Sequence, residues 1–152
     1  MMLVMDDLGD AIAKASINRS RLIFLDSRSA NELPSSIHEL NLNKQLGQQL
    51  LDIPRSDRPK EVGQMLIGLI NASPSSEVML TGIEILFDRS LAIDPVRLLA
   101  SSAKTNTLLA VWPGDKTSSG LSYAVPSHPE YRTYKTSDLG DVIFLTTHAQ
   151  LH

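Results

Sequence analysis

Glu84 stands three residues after Thr81, at the end of the apolar run Val78 to Leu80. In ATP-hydrolysing sites an apolar strand ends in an acid that orders Mg²⁺, and a Glu close behind it activates water. Thr81 occupies the acid's position here and is at best a neutral, weaker ligand. Glu84 is therefore the one remnant candidate for a general base, beside the plainer reading of a solvated residue or helix cap. The other half of such a site is a phosphate loop after an apolar strand, of the form G-x-x-x-x-G-K-[ST]. Its glycines let backbone N–H groups wrap the phosphates, its Lys neutralises them, and its Ser or Thr holds the metal. The segment in that place is Asp26, Ser27, Arg28, Ser29, Ala30, Asn31, Glu32 and Leu33, directly after Leu22–Leu25. Asp26 and Asn31 fall at the glycines, Glu32 at the Lys and Leu33 at the Ser/Thr. All of these positions lack the chemistry, and Glu32 and Asp26 bring negative charge toward a polyanion. An ordinary strand-to-helix connection is expected, with no cofactor and no metal. ATP with Mg²⁺ enters only under an alternative reading in which a partner completes the site.

Another group of residues lies late in the chain. Tyr123, His128, Tyr131 and Tyr134 stand close to Arg132 and Lys135. They read either as a packed turn with exposed polar tips or as a surface for a partner or nucleic acid, since Tyr and Arg dominate many interfaces. Trp112 is expected to pack at a strand end. His38, His128, His148 and His152 show no metal-ligand spacing, and no Ser sits in a strand-turn-helix elbow of the hydrolase type.

Composition narrows the classes. The chain has 152 residues, 42% hydrophobic and 20% charged, which fits one globular domain over 1–152 with a real core. A net charge of -3 makes the chain as a whole a poor electrostatic match for DNA or an anionic membrane. With no Cys there is no disulfide and no thiolate chemistry, which suits the cytoplasm. The start, MMLVMDDLGDAIAKAS, lacks the basic region of a signal peptide, and no run is long enough to span a membrane.

These residues must be positioned by the elements around them. Leu3, Leu8, Ile12 and Ala15 recur at helical spacing and predict an amphipathic helix over 1–18. Leu22–Leu25 reads as a strand and Glu39–Leu42 as a short one. Leu42, Leu46, Leu50 and Ile53 then predict a helix, and Val62, Met65, Leu66, Leu69 and Ile70 predict a second one starting at Pro59. Val78–Leu80 reads as a strand, Asp94-Pro95 as the capped start of a helix, TLLAV as a strand, DKTSSG as a loop, and DVIFLTTH as the last strand. The segment between is expected to hold one short extended piece and turns. Nearly continuous apolar strands alternating with helices predict an α/β protein: a mostly parallel sheet of about five strands between helices, in three layers. In such sheets ligands bind at the strands' carboxyl ends, so Asp26–Glu32, Thr81–Glu84 and Pro113–Ser119 are the loops of interest.

Several stretches carry a family resemblance: IEILFD at Ile83–Asp88, DPVRLL at Asp94–Leu99, AVWPG at Ala110–Gly114, and LSYAVPSHPEYRTY at Leu121–Tyr134, with LNLNKQLGQQLLDIPRSDRP at Leu40–Pro59. Together they resemble BrxF, the small P-loop proteins of type-three BREX (bacteriophage exclusion) defence systems, over about Arg21 to Leu145. The resemblance implies a P-loop-NTPase-like fold. The family pattern has GK[ST] in the first loop and an Asp at the position of Thr81, and this chain departs from both. Of the nucleotide-site residues only Glu84 matches. What is implied is a degenerate pseudo-ATPase acting as a non-catalytic interaction or scaffold protein of phage defence. Its partners would be other BREX proteins, among them an operon-encoded ATPase or methyltransferase, or a second copy of the chain. The alternatives are a partner-completed ATPase or ATP sensor, and an adaptor contacting DNA through Arg19, Arg21 and Arg28 or the tyrosine cluster.

Overall fold

The computed structural model describes residues 2–147. In chain order the first half holds β1 (Leu3–Met5), α1 (Leu8–Ser16), β2 (Leu22–Leu25), α2 (Ser27–Ala30), β3 (His38–Asn41), α3 (Leu42–Leu51) and α4 (Arg58–Asn71). The second half holds β4 (Glu77–Thr81), α5 (Pro95–Ser102), β5 (Thr107–Val111), β6 (Asp115–Thr117), β7 (Gly120–Tyr123), β8 (Arg132–Lys135) and β9 (Ile143–Leu145). Short 3-10 turns at Ile83–Phe87, Arg89–Leu91 and Thr136–Leu139 join some of them.

Six strands form one sheet in the order β1-β9-β2-β5-β4-β3, with every neighbouring pair parallel. Helices lie on both faces, so the molecule is α/β. β2 sits in the middle because all four of its side chains are apolar and buried. Leu22 and Phe24 point toward the face covered by α3, α4 and α5, joining Leu46, Leu66 and Leu99. Ile23 and Leu25 point the other way, onto Ala11 and Ala15 of α1. Alternate burial on two covered faces is why the sequence of β2 shows no polar alternation.

The helix starts follow local capping. Asp7 accepts from the Asp10 amide at 2.9 Å at the head of α1, and Asn41 accepts from the Lys44 amide at 3.1 Å at the head of α3. Asp94 caps α5, accepting from the Val96 amide at 3.1 Å and the Arg97 amide at 3.3 Å. Each satisfies an amide that the helix itself cannot.

The structure departs from the sequence expectations in three places. Residues 1–18 are not one helix: Leu3–Met5 form the sheet's sixth strand, pairing with Ile143–Leu145, and α1 begins at Leu8. The pairing with β9 outweighs the accidental helical spacing of Leu3 and Leu8. Ala11 and Ala15 of α1 are fully buried against the sheet. DKTSSG is not a loop, because Asp115–Thr117 pair antiparallel with Gly120–Ser122 of β7. β8 joins them to make a separate three-stranded antiparallel sheet, so the region holds two extended pieces after Gly120 where one was expected. Leu42 opens α3 instead of closing β3.

Candidate functional site

The carboxyl ends of β2, β4 and β5 open on a cleft of about 410 Å³. Ser27, Thr81, Glu84, Trp112 and Pro113 are among its walls, so the fold does bring the first loop and the Thr81–Glu84 turn together. No described residue lining it is basic.

The first loop is folded on itself. Asp26 lies in extended backbone (φ -80, ψ 166) and caps α2, its carboxylate accepting the Ser29 amide at 2.7 Å. α2 lasts one turn and closes at Asn31. Ser29 is fully buried, and its Oγ accepts the Thr147 amide at 2.9 Å. The Thr147 hydroxyl donates to Glu32 Oε1 at 2.6 Å. Ala30 and Leu33 pack beside α1, and Arg28 is exposed. The amide that a phosphate would take at this helix start is held by a side chain of the same loop, and the residue at the Lys position is tied to the end of β9.

At the end of β4 the Thr81 hydroxyl donates to Glu39 Oε2 at 3.0 Å. Gly82 then turns with φ +65, where a Cβ would stand 2.8 Å from the Asn43 amide nitrogen. Only glycine fits both the dihedral and the space. The 3-10 turn that follows drives Ile83, Leu86 and Phe87 into the core and leaves Glu84 exposed. No hydrogen bond or ion pair from a described residue reaches the Glu84 carboxylate.

The late aromatic cluster is largely internal. Trp112 is 5% exposed and meets Phe24, Phe87 and Tyr134 edge to face at 5.1, 5.8 and 6.1 Å between centroids. Its Nε1 donates to the Ser122 carbonyl at 3.1 Å, which fixes the small sheet to the end of β5. Tyr123 stacks on Phe87 at 4.0 Å. Burial, and then the charges of Glu130 and Glu84, raise its phenol above the ordinary value. Tyr134 is 9% exposed, and its hydroxyl donates to Asp94 Oδ1 at 3.1 Å. Burial first, then the Asp94 charge and hydrogen bond, hold that phenol far above its ordinary value. Arg132 donates to the Ile93 carbonyl at 3.0 Å. Tyr131 and His128 face outward, and His128 Nδ1 accepts the Glu130 amide at 3.0 Å. So Tyr134, Arg132 and Tyr123 hold the small sheet to the body, while Tyr131 and His128 are free to meet a partner.

Among the described residues no group of three or more His, Cys, Asp or Glu side chains is placed to hold a metal. His148 and His152 lie outside the described residues. Among the described residues no helix is long and apolar enough to cross a membrane. Sequence reasoning missed the Asp26 cap, although an Asp three residues before Ser29 is the ordinary signature of one. It also missed the link of Ser29 and Glu32 to Thr147, which no local pattern announces. The chain matches no protein-family model, no curated protein and no solved structure.

Proposed function

We propose that this protein is a non-catalytic, P-loop-type domain that acts by contact within a BREX-type phage-defence system. The observation that carries this reading is the Asp26 carboxylate seated on the Ser29 amide at 2.7 Å. A phosphate loop works by presenting bare amides and a Lys to an anion. Here an anion from the chain already holds that place, Glu32 replaces the Lys, and among the described residues the cleft beside it has no basic wall. The position of the loop supports the P-loop ancestry: it follows a central parallel strand and faces the turn that carries Glu84. The pathway rests on the resemblance of the segments from Leu40 to Tyr134. A domain without this chemistry acts through its surfaces, here the outward side of the small sheet with Tyr131 and His128.

Titration calorimetry with Mg-ATP on the full chain tests the site, and the expected result is no binding heat. Micromolar affinity would replace this reading with an ATP sensor. Co-purification from cells carrying the neighbouring genes tests the pathway. The expected result is capture of a BREX component, and capture of none refutes the assignment.

A further inference from the structure

The large sheet has two edge strands, β1 and β3, and they are finished differently. β3 runs His38-Glu39-Leu40-Asn41 and leaves the charged Glu39 and the polar Asn41 exposed. Charge on an outer strand keeps other strands from adding to it. β1 is Leu3-Val4-Met5, with no charge, no proline and no bulge, and Leu3 and Val4 are each 44% exposed.

The backbone of β1 leaves one residue unpaired toward the outside. The Leu3 amide donates to the Val142 carbonyl at 3.0 Å, and the Met5 carbonyl accepts the Thr146 amide at 2.9 Å. Leu3 and Met5 therefore turn their backbone groups to β9, and Val4 between them turns its N–H and carbonyl outward. A third apolar side chain stands near this edge. Ile17, 76% exposed, closes α1, and its neighbour Asn18 donates from Nδ2 to the Asp141 carbonyl at 3.0 Å, just ahead of β9.

One outward donor and one outward acceptor on the same residue fit an identical strand running the other way. A two-fold axis through Val4 gives its N–H to the carbonyl of the second Val4 and takes the reverse bond in return. That register sets Leu3 of one copy opposite Met5 of the other and Asp6 opposite Met2, so the two Asp6 carboxylates do not face each other. Head-to-tail addition of β1 onto β3 would instead meet the exposed Glu39, so the guarded edge disfavours an open chain of copies.

We propose that two copies of this chain associate by antiparallel pairing of their β1 strands, joining two six-stranded sheets into one. The pairing goes beyond the contact reading and is independent of it. Neither the strand-end cleft nor Tyr131 takes part, so ATP binding, partner capture and self-association can each fail alone. The contact is small, and the dimer dissociates on dilution. The test is sedimentation equilibrium of the full chain over a wide range of concentration. The mean mass should rise from 16.7 kDa toward twice that value. Val4→Lys should hold it at the mass of one chain, because like charges directly opposite repel. Leu3→Lys, whose charge flanks the pair, should weaken association as well, and it decides the matter if Val4→Lys does not fold. Both side chains are already half-exposed, so melting measured at dilution should match the parent. A parent that keeps the mass of one chain at every concentration overturns the proposal. Association that the folded variants retain at parental strength overturns it too, and a mass climbing past two copies overturns the closed pair.

Discussion

The carboxylate of Asp26 accepts the backbone amide of Ser29 at 2.7 Å, closing the first turn after the central strand. The same contact satisfies a helix-start amide and places a negative charge where a triphosphate would need donors. The residue is thus useful to the fold and adverse to nucleotide binding. Asp26→Ala should lower stability by about 1 kcal/mol, the usual cost of an N-cap. It should not restore Mg-ATP binding, because Glu32 stays tied to Thr147. Urea denaturation and calorimetry read the two halves separately.

Glu84→Gln should leave the fold intact and, under the proposed function, phage defence as well. The side chain is exposed, and no described residue bonds to it. Loss of defence at normal protein level would point to a working base. The substitution has its own spectroscopic sign. Glu84's charge is among the causes that raise the Tyr123 phenol, so its removal should bring that titration closer to the ordinary value. Ultraviolet titration of the tyrosinate band follows this directly.

Tyr134→Phe removes the hydroxyl bonded to Asp94 and should cost about 1 kcal/mol, since Asp94 keeps its two amide donors. Alkali gives the complementary test. The folded-state pKa of Tyr134 is raised, so the native state holds this proton more tightly than the unfolded chain does. The contribution is fully present below the ordinary phenol value of 10.0 and is lost as pH rises above it. Wild type should therefore lose stability in that alkaline range more steeply than Tyr134→Phe. Denaturation midpoints measured across the range decide the matter, and parallel curves would contradict it.

Tyr131 and Arg132 are neighbours with different roles. Tyr131 is 38% exposed, so Tyr131→Ala should keep the parent melting temperature while weakening capture of partner proteins. Arg132→Ala should also reduce capture, but it removes the bond to the Ile93 carbonyl and should lower stability by about 1 kcal/mol. A double variant therefore mixes loss of contact with loss of packing, and the single variants separate them. Full capture by Tyr131→Ala would exclude that side chain from the interface.

The parts of the fold legible in the sequence are those where burial dictates residue type. Leu22–Leu25 and Thr107–Val111 are covered on both faces, so apolar runs mark them, and Asp94-Pro95 announces a cap. The illegible parts depend on partners distant in sequence. Asp115–Thr117 is exposed throughout, and only its pairing with Gly120–Ser122 makes it a strand. That the first loop lacks phosphate-binding residues could be seen residue by residue, but not that Ser29 and Glu32 meet Thr147, which lies 118 and 115 positions away. Tyr134 could be read as packed or as surface because Tyr tolerates both settings, and the Asp94 carboxylate that holds it lies 40 positions earlier.

The N-terminal strand gives the sharpest test of what the sequence misread. Were Leu3–Met5 the first turn of an exposed helix, changing them would matter little to the sheet. In the structure they cover the edge of β9, with the Leu3 amide donating to the Val142 carbonyl at 3.0 Å and the Thr146 amide to the Met5 carbonyl at 2.9 Å. Met2 beside them is 8% exposed and belongs to the main core. Met2→Ala should then cost about 2 kcal/mol for a buried side chain cut back. Replacing Leu3, Val4 and Met5 together with glycine should free the Ile143–Leu145 edge, whose side chains are all buried. An unpaired apolar edge is a template for other chains, so that variant should aggregate on mild warming where Met2→Ala only melts earlier. Light scattering alongside a thermal melt distinguishes the two. A triple-glycine variant that stays free of aggregates with the parent melting temperature would mean that β1 is dispensable to the sheet.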